Sequence, residues 1–212
     1  PTISRRQRQM CIRDRYQASN NLLEPISKAN EWIQEAQQNG VALPHAMNIS
    51  SINFDGKPSS RMVLLKRIGQ EGFVFFTDYD GDKGKQIIES PYVALNFWWA
   101  KTNKQIRIEG KCSKASEEEN DEYFSSRPRG SQISASVSLQ SEEIDSYKSL
   151  VERSQEFESN NTGKDITRPQ RWGGFIVEPE SIEFWVDQKN RLHIRELYTK
   201  KGSEWKKVLL SP

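Results

Sequence analysis

With 212 residues, 34% of them hydrophobic, the chain can build one good-sized core, and a net charge of +2 excludes the strongly basic balance of a nucleic-acid binder. No apolar run approaches membrane-spanning length, and there is no secretory hydrophobic region. The two cysteines, Cys11 and Cys112, have no metal-type spacing and form no disulfide framework; thiols used so sparingly fit a reducing cytoplasm.

Residues 1–15 carry five arginines against a single acid, Asp14, and show neither helical nor strand periodicity. They read as a segment foreign to the domain, similar to translated sequencing-adapter read-through; the alternative is a basic arm. Without them the net charge changes from +2 to −2, so no function is built on basicity.

Lys28 to Gln38 is an amphipathic helix with Ala29, Trp32, Ile33 and Ala36 on one side, stopped by Gly40. Ala46 to Ile52 is a strand, Asp55-Gly56 a hairpin turn and Ser60 to Ile68 the returning strand. Phe73 to Thr77 is a third strand and Lys83 to Glu89 a short helix ended by Ser90-Pro91. Tyr92 to Trp99 and Gln105 to Lys111 pair as a second hairpin. Ser116 to Ser126 is a helix with Ser116 as N-cap and Glu119 in the capping-box position. Asp145 to Glu158 is a further helix, followed by a polar loop over 160–169. Gly173 to Val177, Ile182 to Val186, Arg191 to Tyr198 and Trp205 to Leu210 are the closing strands. Many strands at hairpin spacing with few helices predict a mainly β protein, an antiparallel β-barrel with peripheral helices.

Four segments carry chemistry. Arg191, His193 and Arg195 would share one face of a strand, which calls for an anionic or hydrogen-bonding ligand if that face is buried; a solvated edge strand would show the same letters. In Arg61-Met62-Val63-Leu64-Leu65-Lys66 an apolar middle separates two cations. An odd spacing puts those cations on opposite faces of a regular strand, so both reach one ligand only across an edge or a bulge; snorkelling cations are the plain alternative. Gly81 to Lys85 is a basic turn entering a helix, either a phosphate site or a solvated turn. Tyr123 to Gln132 gathers a tyrosine, Arg127, Arg129 and Ser131 at a helix end. That set suits a phosphate monoester and equally a polar helix–loop junction. Two histidines, His45 and His193, with no acid cluster nearby predict no metal site.

Eight motifs in order give a family likeness: RMVLLK at 61–66, GFVFFT at 72–77, KGKQI at 83–87, YFSSRPRGSQI at 123–133, SLQS at 138–141, WGGF at 172–175, IEFW at 182–185 and NRLHIR at 190–195. Through them the chain, from about Leu22 to Pro212, resembles the pyridoxamine 5′-phosphate oxidases (pyridoxine/pyridoxamine 5′-phosphate oxidases). The resemblance implies an FMN-binding split β-barrel over 16–212, with a dimerisation and substrate region at about 170–212. It also implies a homodimer with sites at the subunit interface. FMN would be held by the 61–66 run (Arg61, Met62, Val63, Leu64, Leu65, Lys66) with Phe76, Thr77, Lys83, Gln105, Gln140, Ser141, Trp185 and Arg195. The substrate would meet Lys66, Tyr123, Arg127, Ser131, Arg191 and His193, the last two also serving catalysis. The implied reaction converts pyridoxamine or pyridoxine 5′-phosphate to pyridoxal 5′-phosphate, with O2 as acceptor and hydrogen peroxide as product.

The chain departs from the family pattern at Asp82, Leu43, Ile194 and Leu209, where the family commonly has arginine, an acid, aspartate and arginine. An acid at 82 would repel a phosphate, so it is expected to turn outward. The family's Arg…Tyr lid over the substrate aligns with Arg13 and Tyr16. Two other readings stand beside the oxidase: a related split-barrel flavoprotein oxidase with another substrate, such as a phenazine-type one, and a non-enzymatic binder of FMN or pyridoxal phosphate.

Overall fold

The computed structural model describes residues 16–18 and 23–212, so the foreign-segment reading of 1–15 and the lid reading of Arg13 lie outside the described residues. In chain order the elements are β1 (Gln17–Ala18), α1 (Ile26–Gln38), β2 (Ala46–Ile52), β3 (Pro58–Leu64), β4 (Arg67–Gly69), β5 (Gly72–Asp78), α2 (Asp82–Glu89), β6 (Tyr92–Trp99), β7 (Lys104–Lys114), α3 (Glu117–Ser126), α4 (Arg129–Val137), α5 (Tyr147–Asn160), β8 (Trp172–Val186), β9 (Ile194–Lys201) and β10 (Glu204–Leu209). The strands form one sheet in the order β1-β4-β5-β8-β7-β6-β2-β3, with β9 and β10 added beside β8; every pair except β1–β4 is antiparallel.

β3 and β4 lie near opposite ends of that path, yet only Leu65 and Lys66 separate them in sequence. Two residues reach only about 7 Å. The sheet therefore curls until its ends meet, giving a half-barrel with peripheral helices where the hairpin spacing predicts an antiparallel barrel. At the seam the Leu65 amide donates to the His45 carbonyl at 2.9 Å and the Lys66 amide to the Val74 carbonyl at 2.8 Å. The strand expected over Ser60 to Ile68 is interrupted here, because its second part leaves β2 to pair with β5.

The two strands expected over 173–186 are one. Glu178-Pro179-Glu180 reads as a break, but the register against β7 shifts between Glu109 and Gly110, and a proline is tolerated at such an irregularity. β5 pairs with the first half of β8 and β9 with the second, both on the edge opposite β7.

Alternation along the strands fills the concave side with Phe73, Phe75, Phe97, Ile106, Phe175 and Phe184. α1 closes it with Ile26, Ala29, Ile33 and Ala36, as its 3.6-residue spacing predicts. Lysines pin that helix: Lys104 reaches Glu35 at 2.5 Å and lies 4.6 Å from the Trp32 ring centre, and Lys28 bonds Glu196. Trp32 therefore stands at the helix flank, partly buried, rather than in its centre.

α3 starts where the capping box places it, with the Glu119 amide donating to Ser116 Oγ at 3.1 Å. α4 was not legible, since its serines favour turns over helix and its first turn follows Pro128. The strand expected from Arg191 begins only at Ile194. Lys189–Arg191 is a short turn in which Asn190 and Arg191 take φ of 56° and 61°, so strand alternation does not reach Arg191.

Gly72, at φ +133°, opens β5 with the Val177 carbonyl oxygen 2.0 Å from where a Cβ would sit. Gly72→Ala is expected to cost at least about 2 kcal/mol, read as a lowered urea midpoint at unchanged slope.

Candidate active site

A cavity of about 360 Å³ opens at the seam. The end of β3 (Met62, Val63, Leu64) and Lys66 form one side. Phe76, Thr77 and Asp78 of β5 and Lys83 of α2 form another, while Tyr123, Arg127, Ser138, Gln140 and Trp172 close it. The interruption that curls the sheet is thus what opens it.

Lys83, on the cavity wall, has a second cation next to it, Arg61, which lies outside the walls themselves. Lys83 is buried; its Nζ donates to Thr77 Oγ1 and, at 2.8 Å, to Gln140 Oε1. Arg61 donates to Ser51 Oγ and Ser59 Oγ, both at 2.7 Å, and to Gln86 Oε1 at 2.8 Å. Lys83 and Gln86 stand three apart on α2, hence on one buried helix face. Gly81 is the α2 N-cap without a side-chain cap, and the Asp82 amide donates to Ser141 Oγ at 3.2 Å. Asp82 itself is exposed, turned outward as expected. Burial pushes the Lys83 ammonium down to about 8, Arg61 pushes the same way and Asp78 opposes them. Paired cations at an uncapped helix start are the donor set an anion such as a phosphate monoester requires.

The other wall is aromatic. Tyr123 stacks on Phe76 with ring centres 4.0 Å apart, Phe76 on Trp172 at 5.4 Å, and the Arg127 guanidinium lies 4.5 Å from the Trp172 ring centre. Arg171 clamps this wall by bonding Asp78 and donating to the Ala135 and Ser136 carbonyls at 2.9 and 3.0 Å, which caps the end of α4.

Five of the expected residues form a separate group on another part of the sheet. Gln105 and Trp185 are directly opposed across β7 and β8, and Trp185 opposes Arg195 on β9, so the three share the outer sheet face. The His193 ring lies 4.5 Å from the Trp185 ring centre; Arg191, beside it in sequence, is exposed. Met62 and Glu183 stand at the two ends of one register row, four strand spacings apart along the curled sheet. Cavity and outer cluster therefore occupy different parts of the sheet.

Leu65 is fully buried in the core, away from the cavity, because the chain turns there. Ser131 lies in the first turn of α4 and is not among the cavity walls. Arg129 turns away to donate to the Asn161 and Lys164 carbonyls at the end of α5. Tyr16 packs against the core, its hydroxyl donating to Asn30 Oδ1 at 2.6 Å. Sequence reading missed Gln86 and Ser51, which hold Arg61, although the Lys83/Gln86 spacing signals the first. It also missed Arg171, for which there was no local signal. Leu43, Ile194 and Leu209 are 55%, 46% and 72% exposed.

A curled antiparallel half-barrel with a phosphate-type cradle at its seam defines a class of small-ligand barrel proteins. A solved structure of PhzG from Burkholderia lata, in complex with tetrahydrophenazine-1-carboxylic acid, is 30% identical with a TM-score of 0.85, covering 91% of this chain and 95% of that one. A pyridoxamine 5′-phosphate oxidase-related, FMN binding protein from Nostoc punctiforme shares the fold at 13% identity and a TM-score of 0.73, covering 90% and 98%. Residues 33–160 match the pyridoxamine 5′-phosphate oxidase family, and residues 172–212 the pyridoxine 5′-phosphate oxidase C-terminal dimerisation region. The pyridoxine/pyridoxamine 5′-phosphate oxidase of Rubrobacter xylanophilus is 45% identical over 189 residues, 89% of this chain and 87% of that protein. That of Haemophilus influenzae is 44% identical over 188 residues, 89% of each. The chain belongs to the pyridoxamine 5′-phosphate oxidase family, whose members are oxidoreductases.

An anion in the cradle needs Lys83 charged. Affinity for a phosphate ligand is therefore expected to fall as pH rises through about 8, by up to about tenfold per pH unit. Lys83→Met should bind more weakly throughout and lose that break, as followed by ligand titration across pH.

Proposed function

We propose that the cavity holds FMN with its phosphate on Arg61 and Lys83, and takes pyridoxamine or pyridoxine 5′-phosphate with its phosphate toward Lys66, Tyr123, Arg127 and Ser131. The chain is an FMN-dependent oxidase that forms pyridoxal 5′-phosphate. In balance, the amine, O2 and water give the aldehyde, ammonia and hydrogen peroxide; the alcohol and O2 give the aldehyde and hydrogen peroxide. The observation that carries this is the meeting of Lys66, Lys83 and Arg127 around one cavity, with Arg61 next to Lys83. Lys83 with Arg61 suits one phosphate, and Lys66 with Arg127 a second.

When bound, FMN supplies the two-electron chemistry. The protein binds, orients and moves protons. Thr77, Gln140 and Ser141 fix the cradle through their bonds to Lys83 and the Asp82 amide. Tyr123 and Trp172 give flat walls for an aromatic ligand.

The chain works as a homodimer in which the outer cluster of one protomer closes the cavity of its partner. Gln105, Trp185 and Arg195 then face the flavin, and Arg191 and His193 the pyridine ring. The separation of the two groups on one sheet and the dimerisation region over 172–212 support this. His193 Nδ1 can accept the Gln188 amide at 3.2 Å, which leaves the proton on Nε2. A protonated ring instead gives its Nδ1 proton to Asp187 at 3.1 Å. The imidazole can thus take up and return a proton without moving. Two cysteines, with Cys112 buried as a free thiol, support a cytoplasmic setting, and no described helix is long and apolar enough to cross a membrane.

Anaerobic mixing of the FMN-loaded protein with pyridoxamine 5′-phosphate should bleach the oxidised flavin, and air should restore it with pyridoxal 5′-phosphate formed. Flavin that stays oxidised with this substrate but bleaches with tetrahydrophenazine-1-carboxylic acid would move the assignment to the phenazine type; flavin that neither reduces would leave a binder. Arg127→Ala is expected to raise the KM for substrate about 10- to 100-fold with FMN still bound. Arg191→Ala should weaken substrate binding and turnover while flavin stays bound, and full activity in that variant would reject its role.

A further inference from the structure

Glu183 lies on β8 between Ile182 and Phe184, which point into the core, so alternation turns it to the outer face. It is nevertheless only 6% exposed. A carboxylate buried so far is costly unless it is paired and hydrogen-bonded. Its partners are two arginines. Arg107, directly opposed on β7, donates from Nη1 to Oε2 at 2.9 Å; Arg195, diagonal on β9, donates from Nε to Oε1 at 2.7 Å. The Ser211 carbonyl accepts a second Arg195 bond, from Nη1, at 3.0 Å. A planar guanidinium held at Nε and Nη1 cannot swing, and its Nη2 makes no hydrogen bond among the described residues.

We propose that Glu183 is a positioning residue for flavin binding: it fixes the plane of the Arg195 guanidinium and so holds Nη2 ready for the cofactor. This rests on the reading above that Arg195 contacts FMN. Each Glu183 oxygen accepts from one guanidinium. A methionine of similar length offers neither oxygen, so Glu183→Met must release Arg195 as well as Arg107. Arg107 balances charge on the far side, and its loss leaves the Glu183–Arg195 bond in place.

The test is FMN titration of the apo-protein by flavin fluorescence quenching, with far-UV circular dichroism and elution volume as checks on fold and assembly. Glu183→Met is expected to raise the Kd about tenfold, the order of one charge-assisted hydrogen bond. In an Arg195→Ala background the same change should do nothing further, and Arg107→Met alone should stay within about twofold. If Glu183→Met does not fold, Glu183→Asp serves instead. It keeps the charge but is one methylene shorter, and its smaller loss should also vanish without Arg195. An unchanged Kd in the Glu183 variants, losses that multiply with Arg195→Ala, or an equal loss in Arg107→Met would each overturn the positioning role. If Arg195→Ala itself leaves FMN affinity unchanged, the placement of Arg195 at the cofactor is what fails, and the role of Glu183 falls with it.

Discussion

Leu65 and Lys66 are all the chain that separates β3 from β4, and those strands stand near opposite ends of the sheet path. A flat sheet cannot satisfy so short a link. The curl it imposes draws β3 beside β5, and the mismatch between the two edges leaves room for a ligand. Leu65 drops into the core and Lys66 turns to the cavity within one residue of each other. The parity problem of Arg61 and Lys66 thereby disappears, since no regular strand joins them.

The electrostatics follow from that geometry. The seam gathers Lys66, Lys83 and Arg127, with Arg61 next to Lys83, while the acid at the cavity, Asp78, is engaged by Arg171. Burial and mutual repulsion leave the apo cradle short of negative charge, as the lowered Lys83 shows. A phosphate-bearing ligand on the proposed cradle would relieve this, and if it bound only the folded chain, occupancy and stability would rise together. The hydroxyls and amides around the cations keep both groups in place meanwhile, which is what preorganisation means here.

Much of the fold was legible because short-range rules governed it. α1, β2, β6 and the Ser116 cap follow from periodicity and capping chemistry over a few residues. What escaped was decided by distant partners. The break after Leu64 exists because β4 is claimed by β5. The fusion of two apparent strands into β8 exists because β7 runs unbroken beside it. At the site, the residue types and motifs pointed to phosphate and flat rings. Their division into a cavity and an outer cluster could not be read, because strand order rather than local sequence sets it. Arg191 shows the limit most clearly: placed on a strand by its spacing from His193 and Arg195, it sits instead in a left-handed turn.

β8 carries both kinds of site residue, Trp172 of the cavity wall at one end and Trp185 of the outer cluster at the other. In a dimer whose sites each draw on both chains, damage at either end of this strand spoils different halves of different sites. A mixed dimer of one chain altered in the cavity and one altered in the outer cluster would gather both lesions in one site and leave the other whole. Two inactive alleles could then sustain activity when expressed together, a form of genetic complementation written into the course of a single strand.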